Sequence, residues 1–324
     1  MVPLKSIRSL AGAAALASIL TSSASHAQTT LNMAVVSRTI FYLPAYTAAR
    51  QGFFKAEGLD VKMEVYDSSE QIFHDLRANT KQVAIASTES SIAEAYKGGP
   101  IRIVAGNSQR PPHFIIAQPE IKTLADLKGK LIGVVSMHEG TTFFVPDIVK
   151  KAGLTLTDVK VEAVGGSPTR ARLLRERKID AGMQPYPLSY EAEAAGMSNL
   201  GPVADIVPDY QFAAVMVHEA WARANHAALV GFLRALRRGT DYMFAHPDES
   251  AELAATELRT TVAFARRALE DTARMDILSR DLSVREASIA RVFANVKSAE
   301  LIPANAVLER DKFLDESYLS ESRK

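Results

Sequence analysis

The sequence predicts an α/β fold of two similar lobes, each with a mostly parallel sheet flanked by helices. Short apolar segments alternate with helical segments in the first part of the chain, which is typical of parallel βα units. The same succession of segments recurs about a hundred residues later. After about residue 215 the alternation stops and helical patterns replace it, so we expect a helical C-terminal tail packed on the first lobe.

The first lobe is predicted to begin with a buried strand at 31–37, a short apolar run that ends in a loop. A helix at about 44–57 follows, because Gly58 supplies a natural C-cap. The later elements are a strand at 61–66, a helix from Ser68 or Ser69 to Leu76, a strand at 83–86, a helix at 90–96 and a strand at 101–105.

The second lobe is predicted from segments that match the first. Subtracting residue numbers gives offsets of 100, 95 and 98 for three matching pairs, so there are two units rather than the many of a solenoid. No Pro/Gly/Ser-rich linker separates them, and we therefore expect short extended crossovers between the lobes. The pairs are LIGVVS at 131–136 with LNMAVVS at 31–37, Gly153-Leu154 with Gly58-Leu59, and LRERKIDAGMQP from Leu174 with LRANTKQVAIAS from Leu76.

Two patterns predict helices in the tail. Apolar side chains recur with i, i+3, i+4, i+7 spacing from Leu229 to Leu236, which indicates a helix with one buried face. Ser283 and Glu286 form an S-x-x-E pattern, and we expect them to be the capping box of a helix that runs to about Val296.

Composition excludes several classes of protein. A length of 324 residues corresponds to about two domains. Hydrophobic residues make up 47% and charged residues 23%, which excludes a disordered or fibrous chain. Lys+Arg number 38 against 37 Asp+Glu, so the basic excess of a dedicated nucleic-acid binder is missing. With no cysteine, disulfides, thiolate zinc sites, Cys nucleophiles and lipid anchoring through Cys are all excluded.

The first 27 residues have the pattern of a secretory signal peptide. Lys5 and Arg8 precede an apolar run at 10–20, and Ser25-His26-Ala27 supplies small residues for cleavage. Removing residues 1–27 takes away two basic groups, so the mature chain has 36 basic against 37 acidic groups, a net of −1. No later apolar stretch approaches the roughly 18 residues needed to span a membrane. We expect a periplasmic mature chain that is not inserted in the membrane.

Four segments resemble a known family. The chain resembles the type II periplasmic solute-binding proteins of ABC importers, and more narrowly the nitrate, sulfonate, taurine and thiamine-precursor binding family. The resemblance implies two lobes joined by a hinge, lobe I at 28–112 and 213–324 and lobe II at 113–212. The segments are YLPAYTAARQGFFKAEGLDV at 42–61, LADLKGKLIGV at 124–134, KIDAGMQPYP at 178–187 and AHPDESAE at 245–252.

That resemblance also implies function and partners. A small-molecule ligand would bind in the interlobe cleft, and the protein would deliver it to an ABC permease and its ATPase. We expect a monomer that uses no cofactor, no metal and no catalytic residue, and that binds no nucleic acid.

Ligands of open α/β sheets bind beyond the carboxyl ends of the strands, where loops meet helix N-termini that favour anions. Arg38 directly follows the first strand and could clamp a carboxylate or sulfonate, although a solvent-exposed or structurally paired Arg is an equal alternative. Arg110 ranks below it, because Pro111-Pro112 indicates a structural loop. The candidate ligand-binding residues are Arg38, Phe41, Tyr42, Ser68, Ser69, Ser87, Thr88, Arg110, His138, Thr141, Thr142, Gln184 and Tyr186.

The sequence departs from the family at two places in this cleft. The family often has Trp-Asp-Pro-Tyr where this chain has Met183-Gln184-Pro185-Tyr186, so an amide replaces a carboxylate. His138-Glu139 replaces small residues at a helix entrance. Glu139 would repel an anion if it pointed inward, but we expect it to cap that helix from outside. Nitrate and taurine are therefore disfavoured. A larger organic ligand with a carboxylate or sulfonate and an apolar or aromatic body is the hypothesis.

Two alternatives to a transport protein stay open. The phosphate-loop, dinucleotide, nucleophile-elbow and zinc-helix motifs of common enzymes do not occur. An enzyme that makes the thiamine pyrimidine belongs to the same superfamily, but its eukaryotic members carry a cysteine-rich iron motif and this chain has no cysteine. The other alternative is a ligand-sensing module that docks to a receptor.

Overall fold

The computed structural model describes Met1 and residues 28–66 and 69–324. The signal peptide predicted at 2–27 and the candidate Ser68 lie outside the described residues. Within the described ranges, no helix is long and apolar enough to cross a membrane.

Ten strands form two five-stranded sheets. The first sheet has the order β2-β1-β3-β10-β4 and the second has the order β7-β6-β8-β5-β9. The strands are β1 (Thr29–Val36), β2 (Leu59–Tyr66), β3 (Val83–Ser87), β4 (Ile101–Ser108), β5 (His113–Ala117), β6 (Leu131–Val134), β7 (Lys160–Ala163), β8 (Ala181–Pro185), β9 (Ser198–Pro202) and β10 (Ala213–His218).

The two sheets share one topology. Four strands of each are parallel and one is antiparallel, β10 between β3 and β4 and β5 between β8 and β9. Each antiparallel strand is the first one after the chain passes from one sheet to the other. The chain makes these passages at 109–112 and 203–212, which we call the first and second crossovers. The prediction of two similar α/β units with mostly parallel sheets is confirmed.

Helices cover the faces of both sheets. They are α1 (Leu43–Arg50), α2 (Phe53–Ala56), α3 (Ser69–Arg77), α4 (Thr88–Tyr96), α5 (Val145–Lys151), α6 (Ser167–Arg175), α7 (Leu188–Ala194), α8 (Glu219–Ala224), α9 (His226–Ala245), α10 (Pro247–Leu258), α11 (Val262–Arg274), α12 (Glu286–Ser298) and α13 (Ser317–Ser322). A 3-10 helix at Gly140–Phe144 precedes α5.

Two local predictions were wrong. The helix expected at 44–57 is divided into α1 and α2, because Gly52 adopts a left-handed conformation with φ 72° between them. The capping box of Ser283 and Glu286 does not form. The Ser283 hydroxyl instead donates to Asp281 Oδ1 at 2.7 Å, and α12 begins at Glu286 with Arg285 as its N-cap.

The helical tail packs on the lobe of the first sheet, as predicted. Helix α9 contacts α1 and α2, α12 contacts α4, and α13 contacts α9. Leu229, Phe232, Leu233 and Leu236 of α9 have no exposed surface, and the Phe54 ring stacks on Phe232 with 5.2 Å between centroids. The predicted 3.6-residue period therefore marks a face that is removed from water.

Gly239 of α9 allows its close approach to α1. A Cβ there would lie 2.3 Å from the Pro44 carbonyl oxygen and 3.0 Å from the Ala48 Cβ. We expect Gly239→Ala to lower the free energy of unfolding by about 1–2 kcal/mol in urea denaturation, because overpacking outweighs the roughly 1 kcal/mol gained in helix propensity.

The matched control is Gly231→Ala in the same helix. Its Cβ would meet the Glu57 side chain at 3.2 Å, so we expect a much smaller loss. Equal losses for the two variants, or a gain in stability for Gly239→Ala, would contradict this account of the α1–α9 contact.

Candidate ligand-binding cleft

A cavity of about 770 Å³ lies between the two sheets. Its lining comes from the carboxyl ends of β1, β2 and β3 on one side and from the segments that follow β6, β7 and β8 on the other. This is the place where open α/β sheets bind ligands, and the volume suits a small organic molecule.

Six of the candidate residues line this cavity and six do not. The residues in the lining are Arg38, Phe41, Tyr42, Ser69, Ser87 and Thr141. Those outside it are Thr88, Arg110, His138, Thr142, Gln184 and Tyr186. Whether any of them contacts a ligand stays a prediction.

Burial explains why two of the candidates, Tyr186 and Gln184, do not line the cavity. The Tyr186 side chain is fully buried, and its ring lies parallel to Tyr190 with 5.7 Å between centroids. Gln184 lies within β8 and is also fully buried, with its amide facing the backbone of Ser167 and Ala171. The Gln184 amide is held within the second lobe, whereas the Tyr186 hydroxyl donates to Met275 Sδ of the first lobe at 3.6 Å. Neither side chain lines the cavity.

The other four candidates lie outside the cavity for local reasons. Arg110 Nη1 donates to the Met275 carbonyl oxygen at 3.3 Å, so its guanidinium is held against the end of α11. The Thr142 hydroxyl donates to the Ser136 carbonyl oxygen. Thr88 is buried in the first turn of α4, and His138 is exposed in its loop.

Arg38 lies at the edge of the cavity and is only half-buried. Its Nη1 donates to the Glu257 carbonyl oxygen at 3.0 Å and lies 3.9 Å from Glu257 Oε2. The α10 backbone therefore already fixes this guanidinium, which is the structurally paired alternative named for it from the sequence.

Arg170 is the cationic group that sequence analysis missed. It lines the cavity, yet only 1% of it is exposed. Its guanidinium donates to the carbonyl oxygens of Met183 and Gly165, the latter at 2.7 Å, and to the Ser167 hydroxyl at 3.0 Å. Burial lowers its pKa to about 10, so it stays charged at neutral pH. Within the described chain, no carboxylate forms an ion pair with it.

A signal for Arg170 does exist in the sequence. It lies in the first turn of α6, after Ser167-Pro168, where the helix dipole disfavours a cation. The backbone at 165–169 also lines the cavity. We call Arg170, this backbone and the neighbouring His113 the anion side of the cleft.

His113 is the second group on the anion side that the sequence did not reveal. It is 3% exposed, lines the cavity and packs edge-on against the Phe212 ring at 4.9 Å between centroids. Burial and the charge of Arg170 hold its pKa well below the usual value, so the imidazole is neutral. Its Nδ1 has no hydrogen-bond partner among the described residues.

Aromatic rings form one wall of the cavity. Phe41 contacts Tyr42 at 4.4 Å and Phe212 at 5.7 Å between ring centroids. The Val36 N–H donates to Tyr42 Oη at 3.2 Å, which fixes this ring against the end of β1. Such a wall suits the flat face of an aromatic ligand.

Two carboxyl groups, Glu89 and Glu139, also line the cavity, and among the described residues neither forms an ion pair with Arg170. We call these two groups the acidic side. Glu89 is fully buried near the start of α4, and burial raises its pKa to about 7. Glu139 faces the cavity, so the expectation that it caps a helix from outside was wrong. Its carboxylate accepts from the Ser90 hydroxyl at 3.2 Å, and burial raises its pKa as well.

Two lobes of one topology around a ligand-sized cleft define the fold of periplasmic binding proteins. The sequence profile described as "NMT1/THI5 like" matches residues 41–250, and the chain belongs to this family.

Relatives by sequence include binding proteins and enzymes. A putative binding protein of Brucella abortus is 28% identical over 221 residues, 67% of each chain. The riboflavin-binding protein RibY of Chloroflexus aurantiacus is 26% identical over 235 residues, 70% of this chain and 65% of that one. The 4-amino-5-hydroxymethyl-2-methylpyrimidine phosphate synthase of Aspergillus parasiticus is 22% identical over 228 residues, 66% of each chain.

Solved structures share the fold across almost the whole chain. The ligand-binding component of an ABC-type import system from Staphylococcus aureus has a TM-score of 0.78 at 12% identity, covering 91% of this chain and 99% of that one. The aliphatic sulphonate binding protein SsuA of Escherichia coli has a TM-score of 0.68 at 16% identity, covering 84% and 91%. At these identities the likeness shows the fold alone.

The raised pKa of Glu89 makes stability depend on pH. Its carboxyl stays protonated up to about pH 7 in the folded protein but ionises near its ordinary value of 4.5 when unfolded. The folded state therefore binds the extra proton, and this contribution to stability falls as the pH rises from about 4.5 to 7. Relative to Glu89→Gln, we expect wild type to lose about 3 kcal/mol of unfolding free energy over that interval.

Urea denaturation at several pH values checks this. Glu162→Gln, at an exposed position on β7, is the control and should keep the wild-type profile. Parallel profiles for wild type and Glu89→Gln would show that the buried carboxyl does not take up the proton.

Proposed function

We propose that the protein is the extracytoplasmic substrate-binding component of an ABC transporter. It captures a small organic anion with an aromatic body in the interlobe cleft and delivers it to a permease and its ATPase. The observation that carries the proposal is a buried guanidinium, Arg170, that lines a ligand-sized cavity without a carboxylate partner among the described residues.

The anion side supplies the recognition of charge. A buried cation is costly unless it is paired with an opposite charge. Met183, Gly165 and Ser167 accept four hydrogen bonds from Arg170, which leaves one of its five N–H groups and its positive charge for a ligand anion. A carboxylate or sulfonate at this point would also receive N–H groups from the start of α6. Because the His113 imidazole is uncharged, it can donate a hydrogen bond to the ligand but adds no charge to the site.

Closure of the two lobes would enclose the ligand. The lobes, 28–112 with 213–324 and 113–212, are joined by the two crossovers. Contacts between them favour a closed form: the Gly140 N–H donates to Glu89 at 3.2 Å, and Tyr190 Oη donates to Asp271 at 2.6 Å. A third contact lies next to Tyr190 in α7, where Thr260 Oγ1 donates to Glu191 at 3.0 Å.

Two considerations favour transport over catalysis. The absence of cysteine removes the residue type that the iron motif of the pyrimidine-forming relatives needs. In the cleft, Arg170 is placed to bind a charged group of the ligand, and the aromatic wall is placed to contact a flat apolar surface. A signal peptide at 1–27 would place the mature chain in the periplasm, where a permease could receive the ligand.

A thermal-shift panel of aromatic carboxylates and sulfonates tests this function. A ligand at 100 times its Kd should add about 2.7 kcal/mol of stability to the wild type. We expect Arg170→Gln to weaken binding by about ten- to a hundred-fold, because a hydrogen bond to a charged group is lost. Each shift is measured against the same variant without ligand.

Arg175→Gln is the matched control, since Arg175 is exposed on the same helix, α6, and does not line the cavity. It should keep the wild-type affinity. Binding that survives Arg170→Gln, a panel without any stabilising compound, or turnover of a compound would each count against the proposal.

A further inference from the structure

The acidic side of the cleft is not explained by an anionic ligand. Glu89 and Glu139 both line the cavity, and in the part of the chain that the structure describes neither forms an ion pair with Lys, Arg or His. A second acid near the first raises the cost of ionising either one. A ligand that was only an anion would add a negative charge to a cavity that already holds these two acids.

Glu89 already has most of its acceptor sites filled. Its Oε1 accepts from Tyr210 Oη at 2.7 Å and from the Gly140 N–H at 3.2 Å, and its Oε2 accepts from the Ser87 hydroxyl at 2.8 Å. These donors come from the second crossover, the second lobe and the first lobe. Glu89 therefore links the first lobe, the second lobe and the second crossover.

Glu139 keeps acceptor sites free. It projects from the second lobe toward the first, where the hydroxyls of Ser90 and Ser69 donate to its carboxylate. A carboxylate can accept about four hydrogen bonds. The remaining sites of Glu139 open into the cavity that it lines, and a ligand group that donates hydrogen bonds would occupy them.

The geometry points to an amphoteric ligand, an aromatic or heteroaromatic molecule with an anionic group at Arg170 and an amine or other N–H donor at Glu139. This inference rests on the proposed function and deepens it, because it names the class of ligand that the cleft accepts. Each end of such a ligand would pair a charge that the protein has placed in a poorly solvated site.

Matched pairs of small aromatic acids test the inference by isothermal titration and thermal shift. The pairs differ only in an amine: phenylalanine against 3-phenylpropanoate, tryptophan against indole-3-propanoate, and 4-(aminomethyl)benzoate against 4-methylbenzoate. Benzylamine, Zn²⁺ and Mg²⁺ are measured alone. We expect at least one amine-bearing acid to bind about ten-fold or more tightly than its partner without the amine.

The variant Glu139→Gln should remove this preference, so that each amine-bearing acid binds no more than about two-fold more tightly than its partner without the amine. Glu162→Gln should keep the preference, because that side chain lies outside the cavity. If Glu139→Gln does not fold, Glu139→Asp, which keeps the charge but shortens its reach, should still reduce the preference.

The outcomes separate this inference from the proposed function. Acids that bind equally with and without the amine, or an amine preference that survives in Glu139→Gln, overturn the amphoteric ligand but leave an anion-binding cleft. Stabilisation by Zn²⁺ or Mg²⁺ alone that Glu139→Gln abolishes overturns it in favour of a cation site. Failure of every organic compound, in wild type as in the variants, counts against the proposed function itself.

Discussion

The chain passes between its two sheets twice, and the cleft depends on those crossovers. Each crossover feeds the antiparallel strand of the sheet it enters, so both sheets direct the carboxyl ends of their parallel strands toward one cavity. The crossover segments also supply part of the cleft. Phe212 forms part of the aromatic wall, and Tyr210 bonds to Glu89. A movement of the second crossover therefore changes the same contacts that a ligand would meet.

Electrostatics within the cleft are local rather than global. The mature chain predicted from the sequence carries a net charge of −1, too small to steer a ligand from a distance. Inside the cavity, by contrast, a guanidinium and two carboxylates are held in poorly solvated positions at different places. Such groups interact more strongly than surface charges, because the surrounding protein screens them less than water does. Selectivity would thus come from a few buried groups.

Much of the fold was predictable from the sequence, and less of the site. Alternating apolar segments predicted β1 to β4, the hundred-residue repeat predicted β6 and β8, and α9 followed from its helical period. The strands β5, β7, β9 and β10, which include both antiparallel ones, were not predicted. Candidates directly beyond a strand, such as Arg38 and Ser87, did reach the cavity. Tyr186 did not, because its side chain is fully buried between Tyr190 of its own lobe and Met275 of the first lobe. Glu89 and His113 were missed because their burial depends on contacts between segments far apart in sequence, which periodicity does not show. Glu139 was singled out from the sequence, but its side chain was expected to point away from the cleft.

Small-angle scattering with and without ligand tests the central claim, that the two lobes close around a small organic molecule. The compound that stabilises the protein most in the thermal-shift panel would be added at about ten times its Kd for the wild type, with the Arg170→Gln variant measured at the same concentration. Closure of the lobes about the crossovers predicts a smaller radius of gyration for wild type with ligand, and a smaller change for the variant, of which a larger fraction stays without ligand. Identical scattering of wild type with and without a compound that demonstrably binds would contradict closure.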